Sequence, residues 1–340
     1  MSAPTGLSAA TTVDRTPGAA VLLLRWKLLH FAPSLPPLPL VELADPRDFD
    51  AKKEGTGKHT LQEASIIGHL RRVADLEGGA TTTAVELGAG AARLSDRLNR
   101  VTEGRLAHVL VDRQEPDSKS RDATMLKRGA WLTRVVADVA DFDFDGAGES
   151  DQCQLCMSKH LCGPATDLAI AAIGRAATAG ARPPSCLATC CHYLCRWCCF
   201  EGREWWTAAG LSEQDFETSV SISQWNSMRK LAPKEGGKPK EEAGREQGEE
   251  WLPDLRGVAA HAAAQLAAAG APPLAEFAAA GGEFERTFAS SEKAALGRRV
   301  KELLDLARAE RLQRLGYRVR LLRYTTRSLE DRLLVASPLD

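Results

Sequence analysis

The chain has 340 residues, 44% hydrophobic and 26% charged, with a formal net charge of −1. That length accommodates one large domain or two small ones, and the composition is ordinary for a globular protein. The near-zero charge excludes whole-chain basicity as a basis for nucleic-acid binding, although it leaves room for a local basic face.

All nine cysteines fall between Cys153 and Cys199. A secreted disulfide scaffold spreads its cysteines through a short chain, so this clustering points to a reducing compartment, with cytoplasm or nucleus expected. It leaves three uses for the thiols: a metal site, the lining of a pocket, or small buried hydrophobes. The apolar run Val21 to Leu24 is broken by Arg25 and Lys27, too short to cross a bilayer, and no membrane association is expected. An organellar transit signal is poor.

In chain order, residues 1–50 read as a poorly structured N-terminal segment. Periodicity there is weak, and Pro33, Pro36, Pro37 and Pro39 favour an extended, semi-rigid stretch. Residues 51–340 read as one domain. Ile66, Ile67, Leu70 and Val73 predict an amphipathic helix over 61–76. Strands are predicted at 84–87, 106–111, 131–137, 154–157 and 186–190, with a helix after the first and another, over 165–179, between the last two. This alternation predicts a parallel sheet covered on both faces. A low-complexity, disordered insertion is expected at about 232–282, built around the mixed-charge run 233–250, with some helical character in the Ala-rich stretch 259–280. A helix over 291–315, ended by Gly316, then leads into strands at 317–324 and 332–336 joined as an antiparallel hairpin.

The strongest local signal is Glu86-Leu87-Gly88-Ala89-Gly90, between a strand and a helix. Gly88 and Gly90 let the backbone turn sharply and approach a ligand. A dinucleotide fingerprint wants a third glycine where Arg93 stands. S-adenosylmethionine has no phosphates and does not need it. Asp112 and Asp138 end the next two strands, placed to bond ribose and adenine; the alternative is an ordinary tight turn with aspartate helix caps. Together with the terminal hairpin, this predicts the α/β, Rossmann-like fold of class I S-adenosylmethionine-dependent methyltransferases.

After the fourth strand comes Lys159-His160-Leu161-Cys162-Gly163. In that fold the end of this strand faces the transferred methyl group. A ribose hydroxyl is a poor nucleophile and needs a proton acceptor or a cation that lowers its pKa, and Lys159 and His160 supply both chemistries. Asp167, in the first turn of the next helix, is a secondary catalytic candidate, although favourable interaction with the helix dipole explains it equally well. Cys190, Cys191 and His192 follow the fifth strand and are expected to line the active-site mouth. The pairs Cys195/Cys198 and Cys153/Cys156 have C-x-x-C spacing, which leaves zinc open, but Cys153 and Cys156 fall in a buried strand and a metal is not favoured.

These segments together resemble the eukaryotic tRNA 2′-O-methyltransferase family that modifies the fourth acceptor-stem nucleotide. The resemblance rests on Lys58-His59-Thr60-Leu61-Gln62-Glu63, the Glu-Leu-Gly-Ala-Gly turn, Lys159 to Gly163 with Thr166-Asp167, Ala188 to Cys195, and the tail from Leu296 to Leu334. It covers roughly 51–336. It implies methyl transfer from S-adenosylmethionine to a ribose 2′-hydroxyl of the tRNA acceptor stem, and it adds Lys58, His59 and Gln62 to the substrate side of the pocket. Two departures stand out. Family members commonly begin with zinc-binding Cys/His segments, and no cysteine precedes Cys153. Tyr193 and Leu194 occupy positions where the pattern has a second histidine and a basic residue.

From Arg286 to Arg332 there are 13 Lys/Arg against 6 Asp/Glu, an excess of +7. Arg311, Arg318 and Arg320 are therefore candidates to grip RNA phosphates. The same charges also suit a solvated face with ion pairs such as Glu310 to Arg314. Two further readings stay open on these residues: methylation of a small molecule or protein, and a non-catalytic module that binds RNA or zinc.

Overall fold

Apolar residues alternating along short strands build a seven-stranded sheet in the order β3-β2-β1-β4-β5-β7-β6. The computed structural model describes residues 18–45, 48, 57–76, 79, 81–144, 153–225, 250–270 and 288–339. Its strands are β1 (Thr81–Leu87), β2 (Ala107–Asp112), β3 (Leu132–Val136), β4 (Cys153–Cys162), β5 (Ser185–Cys190), β6 (Tyr317–Arg323) and β7 (Arg332–Pro338). The first five run parallel, and β7 lies antiparallel between β5 and β6. A mostly parallel sheet closed by an antiparallel pair is thus what the sequence predicts. Among the described residues, no helix is long and apolar enough to cross a membrane.

Side chains of successive strand residues point to opposite faces, so each strand feeds two cores. Val85, Leu87, Cys156 and Leu187 face one core; Ala84, Leu155, Met157, Cys186 and Ala188 face the other. The second core is covered by α2 (Lys58–Leu70) and α3 (Arg93–Val101) through Ile66, Ile67, Leu70, Leu94 and Leu98. The first is covered by α1 (Gly18–Phe31), α5 (Pro164–Thr178), α6 (Arg203–Ala208), α7 (Glu213–Ile222), α8 (Leu255–Ala269) and α9 (Ser290–Arg314). The short α4 (Asp122–Lys127) packs at β3. Burying one such Leu or Ile side chain contributes about 1.5–3 kcal/mol.

Three differences from the sequence-based expectations have clear physical reasons. Within the supposedly unstructured 1–50, α1 forms because Val21, Leu24, Leu28 and Phe31 make one buried stripe against α7 and α8. Phe31 meets Trp205 edge-on at 5.9 Å, and Lys27 pairs with Asp215 at 2.6 Å. Pro33 sits in a 3-10 turn (Ala32–Ser34) that ends α1, so only the stretch from Leu35 on is extended as predicted. It pairs with the sheet edge, the Val41 amide donating to the Arg323 carbonyl at 2.8 Å and the Arg323 amide to that of Pro39 at 2.8 Å. Inside the expected insertion at 232–282, α8 is ordered. Leu255, Ala259, Ala262 and Leu266 form its buried face, and the Trp205 indole donates to the Leu255 carbonyl at 2.7 Å. Small alanines allow that close approach without the hydrophobic contrast that marks an amphipathic helix. Residues 226–249 and 271–287, with nearly all of the mixed-charge run, lie outside the described residues.

The third difference bears on function. β4 continues to Cys162 rather than stopping near Met157. Its register against β5 shifts between Ser158 and Leu161, an irregularity that contains Lys159 and His160. Bulges of this kind re-aim side chains. The Lys-His pair is therefore part of the sheet itself.

Candidate active site

The carboxyl ends of β1, β2, β3, β4 and β5 lie side by side, and the residues predicted for catalysis and donor binding lie along or beneath them, whereas Arg311, Arg318 and Arg320 do not. At β1, Gly88 (φ 69°) and Gly90 (φ 47°) adopt left-handed backbone. A side chain at Gly88 would approach Leu161 Cδ2 at 3.0 Å, whereas the space in front of Gly90 is open to beyond 4 Å. Asp112 ties this loop to β2: its Oδ2 accepts from the Gly90 amide at 2.7 Å and its Oδ1 from the Gln114 amide at 2.9 Å. Asp138, at the end of β3, caps the next turn by accepting from the Ala140 amide at 3.0 Å. Arg134, which sequence reasoning missed, donates to the Gly90 carbonyl at 3.1 Å while paired with Asp122 at 2.5 Å. A glycine bend opening onto free space, flanked by two half-buried carboxylates on successive strands, fits a small donor with a ribose and an adenine.

Glu86 lies beneath that bend and is buried. Its Oε2 accepts from the Ser95 amide at 3.0 Å and the Ser95 hydroxyl at 2.5 Å, fixing the start of α3. Burial pushes its carboxyl up to about 7, against the lowering effect of those two bonds. Glu86 therefore braces the loop from below.

On the other side of β1 stands a buried ionic group. Lys159 Nζ is 2.5 Å from Glu63 Oε1 and also donates to the His59 carbonyl at 3.4 Å. Glu63 Oε2 in turn accepts from Arg97 Nε at 3.2 Å. Burial draws the Lys159 ammonium below the ordinary lysine value, and Glu63 only partly restores it. His160 is on the outer side, its ring 6.0 Å from that of His59. Loss of solvent at its inner edge, with Lys159 and His59 beside it, brings the imidazole down to about 4, neutral at physiological pH. The first turn of α2 thus brings Lys58, His59 and Gln62 to the end of β4, with Gln62 buried and its Oε1 without a hydrogen-bond partner. Glu63, on the same turn, was not among the sequence candidates; a buried carboxylate four residues from His59 leaves no local signature.

Asp167 and His192 have a different setting. Both are fully buried, in a network around Arg308. Arg308 meets Asp167 at 2.6 Å and Asp305 at 3.0 Å, and it donates to the Gly163 carbonyl at 3.2 Å and to Cys195 Sγ at 3.1 Å. Asp305 also takes His192 Nε2 at 2.8 Å and the Thr189 hydroxyl at 2.9 Å. Burial would raise the Asp305 carboxyl, but the facing His192 and Arg308 hold it well below the carboxylate range. This network carries the turn after β4 and the turn after β5 on α9. Neither Asp167 nor His192 reaches the open side of the site. Cys191 does: it is half-buried beside Cys162 and Cys190.

The basic stretch is placed elsewhere. Tyr317 and Arg318 pair with Pro338 and Ser337, and Ala336 pairs with Ser185, the first residue of β5. Arg318 and the adjoining end of α9 therefore sit at the amino ends of the parallel strands, opposite the glycine bend. Arg311 pairs with Glu201 at 2.9 Å, and Arg314 pairs with Glu204 and Glu310. Arg320, itself buried, stacks over Trp251 at 3.9 Å, with Arg318 at 5.1 Å from the same ring. A shallow cleft lined by Asp143, Gly174, Arg175, Thr178, Glu201 and Arg311 also lies on this side, away from the strand ends.

The sequence profile of the family described as Methyltransferase TRM13 matches residues 61–337. This chain belongs to that family. Among individual relatives, it is 31% identical over 204 residues to the tRNA:m(4)X modification enzyme TRM13 of Schizosaccharomyces pombe, covering 54% of this chain and 53% of that one. It is 31% identical over 193 residues to the enzyme of the same name from Yarrowia lipolytica, covering 49% and 41%. With the mouse tRNA:m(4)X modification enzyme TRM13 homolog it shares 25% over 227 residues, covering 54% and 46%. The chain thus spans about half the length of the curated relatives it matches or less. No solved structure gives a significant match. The TRM13 profile takes in the glycine bend, the Lys159 segment, the cysteine turn and α9 with the terminal strand pair.

Two outcomes test this reading of the buried groups. Arg308→Ala leaves Asp167 and Asp305 buried without their cation, so urea unfolding shows a loss of about 3–5 kcal/mol. Glu86 has a folded-state pKa raised above its unfolded value, so its contribution is fully present below pH 4.5 and lost as pH rises through about 7. Relative to Glu86→Gln, the wild-type chain loses roughly 3 kcal/mol between pH 4.5 and 7 in the absence of ligand. Parallel stability curves across that window count against a buried, proton-holding Glu86.

Proposed function

We propose that this chain is the catalytic part of a tRNA 2′-O-ribose methyltransferase. It has a class I Rossmann-like fold and transfers a methyl group from S-adenosylmethionine to the nucleotide at position four of the acceptor stem. The observation that carries the reading is the buried Lys159–Glu63 pair with His160 beside it, one strand away from the glycine bend, within a chain of the TRM13 family. The relatives' names, tRNA:m(4)X modification enzyme, support position four. The strand order with its antiparallel β7 supports the fold.

The donor, when bound, supplies an electrophilic methyl group. The Gly88–Gly90 bend, Asp112 and Asp138 hold it, the bend giving room and the carboxylates giving acceptors for ribose and adenine. Lys159 lowers the pKa of the incoming ribose hydroxyl, and neutral His160 accepts its hydrogen bond on the outer side. Glu63 is a positioning residue that fixes Lys159. Gln62 Oε1, buried and unpartnered, is aligned with the same end of α2.

The RNA is gripped at this end of the sheet, rather than through Arg311, Arg318 and Arg320. Exposed cations there are Lys58 and Arg93 at the starts of α2 and α3, Arg196 after Cys195, and Arg327 between β6 and β7. Arg93 is close enough to act electrostatically on both His59 and Lys159. Phosphate and 2′-hydroxyl contacts of this kind suit an acceptor duplex. The eight described cysteines are all free, which suits a reducing compartment such as cytoplasm or nucleus.

Incubation of unmodified tRNA with the protein and labelled S-adenosylmethionine, followed by mapping of the altered ribose, tests the reading directly. Label in a 2′-O-methylated nucleotide at position four is expected; label confined to a base or to protein overturns it. Lys159→Ala is expected to lower turnover by 10² or more, the usual size of an acid–base or electrostatic group, with donor affinity retained. Glu63→Gln is expected to lower turnover less and to shift the alkaline limb of its pH profile. Full turnover of Lys159→Ala removes Lys159 from the chemistry.

A further inference from the structure

The cysteines that converge in space are not those with C-x-x-C spacing. Cys195 is buried against Arg308, Cys198 is exposed, and Cys156 is packed inside β4. Cys162, Cys190 and Cys191 instead bring their sulfurs within 4.8 Å of one another, with Cys162 and Cys190 at 3.3 Å. Two structural features achieve this. The shifted register of β4 sets Cys162 opposite Cys190 in the parallel pair, so both side chains share one face. Consecutive strand residues point to opposite faces, so Cys191 ought to face away from Cys190. Its backbone is left-handed (φ 50°, ψ 45°), a conformation non-glycine residues seldom adopt, and this kink returns the third sulfur to the other two.

We propose that Cys162, Cys190 and Cys191 form a binding site for one soft divalent cation of the zinc class, coordinated by three thiolates. In a tetrahedral site with zinc–sulfur bonds of about 2.3 Å, neighbouring sulfurs are about 3.8 Å apart. Here Cys162 and Cys190 are 3.3 Å apart and all three sulfurs lie within 4.8 Å of one another, so small side-chain shifts reach that edge. Cys190 forms the buried floor, while Cys162 and Cys191 are half-buried, so the fourth position faces the open side and takes a water. Binding releases the thiol protons to solvent and changes no oxidation state. The buried Cys156 and Cys186 show the contrasting arrangement, thiols packed separately into the two cores, that of Cys156 against Ser185. A strained backbone that gathers sulfur at a loop mouth serves coordination rather than packing. The site adjoins the proposed acceptor side but does not depend on the methyltransferase reading, since metal binding is measured without tRNA or donor.

The test uses the whole 340-residue chain, purified under reducing conditions with zinc in the growth medium. Metal analysis is expected to find about one zinc per chain, and cobalt(II) substitution to give the thiolate-to-metal absorption and intense visible bands of a tetrahedral sulfur site. Cys191→Ser is expected to weaken zinc at least about tenfold and to lower the cobalt–thiolate absorption by about a third. Cys198→Ser leaves both unchanged. Should Cys162→Ser or Cys190→Ser fail to fold, the wild-type stoichiometry and the half-buried Cys191 still decide. Wild-type protein without zinc and without a cobalt–thiolate spectrum overturns the proposal. So does full metal binding by Cys191→Ser, or a Cys162–Cys190 disulfide identified by mass mapping of unreduced peptides.

Discussion

A guanidinium with no exposed surface sets the shape of the site. Taking Arg308 out of water is costly, and the cost is met only if every partner is in place together: Asp167 on α5, Asp305 on its own helix, the Gly163 carbonyl and Cys195. Apart from Asp305, these partners come from the junction of β4 with α5 and from the turn after β5. Gly163 shows how tightly the turns meet. With φ at 55°, any side chain there would lie 2.5 Å from Leu194 Cβ. The ends of the two strands that carry Lys159 and the cysteines are therefore held at one spacing by a charge that tolerates no slack. A well-packed apolar residue could stabilise the fold as much, but it would not demand that particular alignment.

The same logic divides the sheet into two ends. At the amino ends of the strands, Arg311 and Arg314 pair with carboxylates, and Arg318 and Arg320 lie over the ring of Trp251. At the carboxyl ends, Gly88, Gly90, Ala92, Gly163 and Cys191 have positive φ, and Ala92 and Cys191 are two of the three non-glycine cases among the described residues. The buried ion pairs of Lys159 and Arg308 lie toward the end where ligands of open α/β sheets bind.

This division explains what could be read from the sequence. Strands, the glycine bend and the Asp112 and Asp138 positions depend on local periodicity and turn chemistry, and they lie where the pattern predicts, within a few residues. The length of β4 does not follow from pattern, because Lys159 and His160 interrupt its apolar run and only pairing with β5 keeps them in the strand. Asp167 and Arg308 are 141 residues apart, and Glu63 and Lys159 are separated by 96. No window along the chain links them. Charge counting, which singles out Arg311 to Arg320, does not register Glu201 or Trp251 across the fold. Cysteine spacing is equally blind: the proximity of Cys162, Cys190 and Cys191 comes from strand register and a kinked residue.

The Lys159–Glu63–Arg97 arrangement bears on how a buried lysine can take part in proton transfer. If Glu63 were its only partner, neutralising Lys159 would strand a carboxylate in a medium that penalises isolated charge. Arg97 also donates to Glu63, on its other oxygen. Loss of the Lys159 proton therefore leaves a Glu63–Arg97 ion pair intact, and gain of the proton adds a second partner to the same carboxylate. Both charge states of Lys159 are accommodated without an orphaned group, and burial has already lowered the cost of the neutral one. A lysine whose carboxylate partner is itself shared with an arginine keeps its position in either charge state.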